Sequence, residues 1–380
     1  MLNNNVSKSM SERYLSLDVL RGITVALMIV VNTPGDWSAI YAPFKHSDWN
    51  GFTPTDWVFP TFLFVIGNAL SFSMKKLSLI STSAFLKKTF KRTVIIFAIG
   101  LFLNAFPFFH YDNENIVFNN LLDTRLWGVM QRIAVCYCIA SLLIYYFNKA
   151  LLIVISVSIL LSYWFILYHF GDQPDPYNVA SNAIRKLDLM YLQPKNIYRH
   201  FPIPFDPLGL LSSLPAIVNV IAGYLAGLFI QKNGNNLNTA LKLIGFGGLL
   251  IGLALFWNIL FPINKALWTS TYVLIATGYD FVMIAILIIV IEVCLLKKWT
   301  YFFEVFGKNP LFIYVMAWVV ISLMGFVKIK GIPIKSAVYQ SLFTSWLSPI
   351  NASLGFAIIY MLLMWLIGYA MDKKKIYVKV

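Results

Sequence analysis

The sequence predicts an all-α, polytopic membrane helix bundle of about ten transmembrane helices with both termini in the cytoplasm. Three observations carry this. The 380 residues are 59% hydrophobic and only 12% charged, about half the charge of a soluble domain. Apolar runs of about 20 residues, the length that crosses a hydrocarbon core, recur along the whole chain. Aromatic residues make up 16%, with 11 Trp and 20 Tyr, as suits rings placed at both membrane–water interfaces. A soluble fold could not bury this much apolar surface around one core, and a disordered chain has the opposite bias.

The runs fall near 16–33, 56–74, 92–109, 127–147, 150–169, 208–230, 240–261, 267–296, 309–327 and 353–371. The first contains Asp18 and Arg21 and no small-residue cleavage site follows it, so it reads as a span and not as a signal peptide. The chain carries 30 Lys and Arg against 16 Asp and Glu, a net charge of +14. In a soluble protein that would suggest nucleic acid. In a membrane protein basic residues gather in cytoplasmic loops, so the lipid bilayer and no nucleic acid is the expected partner. With the N-terminus inside, eighteen of the 30 fall on the cytoplasmic side, Lys8, Arg13 and Lys379 among them, ten fall outside, and Arg21 and Arg132 lie within spans. Cys136, Cys138 and Cys294 sit in apolar stretches without a CxxC pair and read as inert buried thiols. Gly245, Gly247, Gly248 and Gly252, like Gly223 and Gly227, are expected to serve close helix packing. The same faces would suit a homodimer.

Ionisable residues within spans are costly and start as functional candidates. At 100° per residue, Arg21 and Asn32 lie about 60° and 40° from Asp18, so the first span has one polar face. At 1.5 Å per residue that stripe runs roughly 21 Å, almost the length of the span. It reads as a path or an elongated site. Gln131, Arg132, Asp280, Glu292 and Asn104 are further intramembrane polar groups, and Asp280 and Arg132 are oppositely charged. Two exterior regions, 34–55 and 170–207, are longer than connectors need. The first holds FKHSDWNGFTPTDWVFP, in which His46 lies close to Asp48, Trp49, Asn50 and Asp56. Such a cluster can orient and tune an imidazole for proton transfer. The four histidines show no HxH or HxxxH spacing, so no metal is expected, and no serine-nucleophile elbow is present.

LSLDVLRGITVALMIVVNT, followed by FKHSDWNGFTPTDWVFPTFLFVIG, resembles the transmembrane acetyltransferases typified by heparan-α-glucosaminide N-acetyltransferase and its bacterial homologues. The resemblance continues through RLWGVMQRIAVCY, FDPLGLLSSLPAIVNVIAGYLAG, INKALWTSTYVL, FGKNPLFIYV and YAMDKKKIYVKV. It covers nearly the whole chain in order, which implies a single transmembrane acyltransferase domain over 1–380. The resemblance implies transfer of an acetyl group from cytoplasmic acetyl-CoA, the acyl-donor substrate, to an amino sugar on the far side of the membrane. It matches the family's catalytic histidine to His46 and a catalytic asparagine to Asn32. Arg125, Arg132, Asp206, Asn264, Lys265, Trp268 and Asn309 also fall on its motifs, whereas Asp280 has no counterpart there. Asp18, Arg21, Asp48, Trp49, Asn50 and Asp56 join these as candidate binding residues.

Acyl transfer to an amine needs a base near neutral pKa, and imidazole supplies one. His46 would take a proton from the sugar amine during direct attack on the thioester, with Asn32 donating to the carbonyl oxygen. The rival route passes through an acetyl-imidazole on His46. Two other functions compete: a transporter of amino sugars, which ten spans and Asp280 would suit, and an assembly protein of the cell envelope, which leaves His46 without a role. The expected location is a bacterial inner membrane, with envelope glycans or free amino sugars as acceptors.

Overall fold

The structure is a computed structural model that describes residues 14–77, 79–113 and 115–378; Lys8, Arg13 and Lys379 lie outside the described residues. The chain forms the all-α bundle expected. The helices are α1 (Leu15–Asn32), α2 (Pro54–Leu77), α3 (Thr82–Ala105), α4 (Val129–Tyr146), α5 (Lys149–Phe170), α6 (Ala183–Tyr191), α7 (Ser213–Asn233), α8 (Leu237–Trp257), α9 (Ser270–Leu287, prolonged by a π-helical stretch Ile288–Val293), α10 (Thr300–Lys308), α11 (Pro310–Phe326), α12 (Ile334–Tyr339) and α13 (Pro349–Lys373). Many starts are set by local side chains: Ser81, Asn148, Asn182, Asn236 and Thr269 each accept a hydrogen bond from a backbone N–H of the first turn they precede, satisfying donors that the helix itself cannot.

Among the described residues eight helices are long and apolar enough to cross a membrane: α1, α2, α4, α5, α7, α8, α9 with its π stretch, and α13. The expected span at 92–109 is α3, which begins ten residues earlier. Its first half carries Lys87, Lys88, Lys91 and Arg92, an amphipathic start that an apolar-run rule cannot see. The expected span at 309–327 is α11, which meets α10 at 83° across Asn309. Pro310 at the first position of α11 cannot continue the α10 hydrogen-bond ladder, which places the corner there. Two short antiparallel hairpins, Phe109–Asp112 with Asn115–Phe118 and Lys328–Ile329 with Ile332–Pro333, were not foreseen. They meet where Tyr111 stacks on Phe326 and Lys328 lies 3.8 Å over the Tyr111 ring.

Burial separates centre from rim. The apolar window of α2 is 72% buried and that of α5 only 22%, and α5 turns Ile153, Val154, Val157, Leu161 and Phe165 outward, the surface a lipid solvent requires. α2 crosses α7 at glycines: a Cβ at Gly67 would overlap the Val220 carbonyl oxygen, and one at Gly223 would overlap that of Phe64. Gly22 meets Phe303 of α10 in the same way, and Gly247 meets Gly278. Close approach is thus the role of Gly223, Gly227 and Gly247. Gly245, Gly248 and Gly252 have nothing within 4 Å, so packing within this chain does not explain them. Cys136 and Cys138 are buried, whereas Cys294 is exposed at the end of the π stretch.

These contacts also sort the ends of the bundle. Tyr14 packs on Phe72, α2 and α7 run parallel through Gly67 and Gly223, and Gly307 abuts the Asp18 backbone. Lys75, Lys76, Lys232, Lys308 and Lys373 therefore share the Asp18 end, while Asn32 lies at the other.

Candidate active site

The site is built at the Asn32 end from three loops and the start of α2. Thr53-Pro54-Thr55-Asp56 forms a capping box: Asp56 N–H donates to Thr53 Oγ1 (3.3 Å), and Thr53 N–H donates to Asp56 Oδ2 (3.1 Å). This reciprocal pair starts α2 and immobilises Asp56, which is fully buried. Its Oδ2 also accepts from the Ser47 N–H (3.1 Å), leaving Oδ1 for His46 Nδ1 at 2.7 Å. An ionised Asp56 favours the ring proton on Nδ1, which leaves the lone pair on Nε2. Lys265, from the α8–α9 loop, completes a triangle, 3.4 Å from Asp56 Oδ1 and 2.9 and 3.3 Å from His46 Nδ1 and Nε2.

Burial and the Lys265 charge push the His46 pKa below its ordinary value, against the opposing pull of Asp56. Burial likewise brings the Lys265 ammonium down to about 8, with Asp56 resisting. His46 is thus neutral near pH 7, and Lys265 is held close to its titration point. The cluster has one buried anion, one cation and one neutral base.

The loops are tied together so that these groups stay in place. Gly51 has φ +129°, a conformation reserved for glycine, and its N–H donates to the Ile263 carbonyl (2.7 Å). Beside it, Asn264 Nδ2 donates to Asn50 Oδ1 (3.0 Å), and Asn264 Oδ1 accepts from the Leu267 N–H (2.8 Å). Within the turn that follows, Trp268 has φ +52°, a cost of about 1–3 kcal/mol. It is offset by full burial of the indole, by Nε1 donating to Asn219 Oδ1 (3.1 Å), and by Arg132 4.6 Å over the ring. Arg132 in turn donates to the Pro207 and Gly209 carbonyls (3.0 and 3.3 Å) and to Ser212 Oγ.

A cavity of about 380 Å³ opens beside His46 and reaches between α1, α2, α3, α4 and α11. Asn32, His46, Asp48, Trp49, Asp56, Arg125, Lys265 and Trp268 all line it. Arg125 is fixed by a bidentate bond to buried Asp206 (2.8 and 2.6 Å) and by stacking on Tyr198 at 4.3 Å. Asn32 donates one amide hydrogen to the Met28 carbonyl (2.8 Å); a primary amide has a second to offer.

The candidates therefore divide in three. The lining residues form the site proper. Asn50, Arg132, Asp206 and Asn264 stand behind it and hold it. Asp18, Arg21 and Asn309 are elsewhere. Arg21 pairs with Asp18 (3.4 Å) and donates to the Gly307 carbonyl (3.3 Å), a pair roughly 16 to 21 Å along α1 from Asn32. Between them Val25 and Ala26 are buried in the core, so the polar face is two separate patches and not one path. Asn309 clasps the C-terminal segment, donating to the Ile376 carbonyl (3.0 Å) and accepting from the Val378 N–H (2.8 Å). Asp280 does not pair with Arg132 among the described residues; it accepts from Trp57 Nε1 (2.8 Å). Gln131, Asn104 and Tyr314 line the cavity without having been singled out as site residues. Their signal in sequence was only that they are polar within apolar runs. Among the described residues no three His, Cys, Asp or Glu side chains converge as metal ligands do.

Fold and site together define a multi-pass membrane protein with an imidazole–carboxylate pair at the mouth of an intramembrane cavity. The family described as heparan-alpha-glucosaminide N-acetyltransferase, catalytic, matches residues 13–241, and the chain belongs to that family of membrane N-acetyltransferases. It is 27% identical over 358 residues to the heparan-alpha-glucosaminide N-acetyltransferase of Homo sapiens, covering 80% of this chain and 52% of the relative. It is 25% identical over 366 residues to that of Mus musculus, covering 81% and 54%. The chain thus spans about half the length of the curated relatives it matches. The family match includes His46, Asp56, Arg125 and Gln131; Lys265 and Trp268 lie beyond it.

Proposed function

We propose that the chain moves the acetyl group of cytoplasmic acetyl-CoA to the amine of a glucosamine-type sugar at the exterior face, with His46 as general base. The observation that carries this reading is the His46–Asp56–Lys265 cluster at the mouth of the cavity. The basic residues gathered at the Asp18 end support a cytoplasmic location for that end, which turns the Asn32 end outward. A bacterial inner membrane is the setting we propose.

In this reading the amine nitrogen attacks the thioester carbonyl carbon. The C–N bond forms as the C–S bond breaks, His46 Nε2 takes the amine proton, and the departing CoA thiolate receives it. Asp56 keeps the imidazole in the right tautomer and stabilises the imidazolium as it forms. The free hydrogen of the Asn32 amide supports the developing oxyanion, a contribution of about 3 kcal/mol. The Lys265 charge disfavours a second cation beside His46 and so favours the acceptor as the free amine. The cavity is near the lower end of the usual range for ligand sites, about 300–1,000 Å³, and suits the slender acyl arm of the donor better than the whole of CoA.

Glucosamine-dependent CoA release by the purified protein tests the assignment. His46→Ala should lower kcat by about 10²- to 10⁴-fold while CoA binding persists; retained turnover would remove His46 from the mechanism. Rapid mixing with radiolabelled acetyl-CoA alone should leave no label on the protein. A labelled histidine would favour the acetyl-imidazole route.

A further inference from the structure

One side chain in the cavity is buried and unpaired. Gln131, on the first turn of α4, is fully buried and lines the cavity, yet neither its Nε2 nor its Oε1 has a hydrogen-bond partner among the described residues. A buried amide left without partners is destabilising, so its retention at a cavity wall points to a ligand that completes it. The amide lies in a cradle made by two glycines. A Cβ at Gly100 would come within 2.5–2.8 Å of the Gln131 amide atoms, and one at Gly128 within 2.8 Å of Oε1. Gly100 is five residues inside the end of α3, roughly 7.5 Å below it, so the amide sits between the body of α3 and the start of α4.

A primary amide offers one donor face and one acceptor face side by side. Its natural complement is another amide, which returns a C=O and an N–H. The cavity that Gln131 lines has many apolar residues in its wall, Met28, Val58, Phe59, Leu103 and Met130 among them. A hydroxyl-covered sugar would lose hydration there without replacement. A chain that alternates methylenes with secondary amides would not.

We infer that Gln131 in its Gly100–Gly128 cradle is an amide-reading subsite for the pantetheine arm of the acyl donor, which fixes the thioester with respect to His46. This rests on the proposed acetyl-CoA reading and adds to it a residue that selects the donor. Gln131 acts as a binding residue that positions the reacting group, and it takes no proton.

The test pairs binding with turnover in the full-length purified protein. Pantetheine should raise the unfolding temperature of the wild type and fail to do so for Gln131→Met, which keeps the volume and removes the amide. In acetyl transfer to glucosamine, Gln131→Met should raise KM for S-acetylpantetheine about tenfold, the loss of one or two good hydrogen bonds. It should leave kcat/KM for S-acetyl-butanethiol, which has no amide, unchanged. Gly100→Ala keeps the chemistry but displaces the amide and should reproduce the selective loss, which covers the case of a poorly folded Gln131→Met. Equal losses on both thioesters, or none on either, would overturn the subsite. So would stabilisation by N-acetylglucosamine, in place of pantetheine, that depends on Gln131, because it would assign the amide to the sugar product. If the wild type turns over acetyl-CoA and the selectivity is absent, only this inference fails. If the wild type does not use acetyl-CoA at all, the functional reading fails with it.

Discussion

At the residue scale the electrostatics of three side chains set a pH dependence. His46 must be neutral to act as a base, and its pKa is held below the ordinary value of 6.5 by burial and by Lys265. Activity should therefore rise through a midpoint below 6.5 and fall again near 8 as Lys265, at about 8, loses its charge. Lys265→Met removes the nearby cation, so His46 becomes easier to protonate and the acid limb moves to higher pH; the alkaline limb disappears. Asp56→Asn removes the anion, so the acid limb moves to lower pH. It also removes the acceptor that fixes the ring, and kcat should fall by at least about a hundredfold. A pH–rate profile of the three proteins checks both signs. An acid limb that stays in place in Lys265→Met would refute the coupling. The sequence exposed this cluster well, because His46 and Asp56 fall within one short segment just before an apolar run. Lys265 arrived through a motif without a role, since nothing local to it says that it meets His46 from more than two hundred residues away.

At the element scale, glycine crossings hold the bundle in register. Gly67 and Gly223 let α2 and α7 touch backbone to backbone, which gives dispersion contact and close dipoles where lipid offers no hydrophobic drive. Gly223→Val should cost about 3 kcal/mol or more, seen as a lowered unfolding temperature in detergent, because the neighbouring atoms are backbone and cannot yield. Gly248→Val, at a position with nothing within 4 Å, should leave it almost unchanged; a large loss there would indicate a contact made by another chain. Eight of the ten expected spans are helices long and apolar enough to cross a membrane, since the bilayer sets their length. α3 and the α10–α11 corner were less so. Basic residues in the first half of α3 and the stop imposed by Pro310 are local features that a hydropathy window averages away.

At the scale of the whole molecule the bundle separates two chemistries along its axis. The Asp18 end carries Arg21 and many of the lysines, closed by α10 and by the Asn309 clasp on the C-terminal segment. The Asn32 end carries the cavity and the acid–base cluster. Helical projection put Asp18, Arg21 and Asn32 on one side of α1, but projection gives direction and not depth, and the buried Val25 and Ala26 interrupt the polar stripe. The division into ends suits an enzyme that takes its donor from one side and its acceptor from the other. The most direct measurement uses sealed liposomes with the Asp18 end outward, acetyl-CoA outside and glucosamine within. The account predicts N-acetylglucosamine in the lumen, formed at least about a hundredfold more slowly with His46→Ala. Labelled glucosamine crossing the membrane without acetylation would contradict it and would make the protein a transporter.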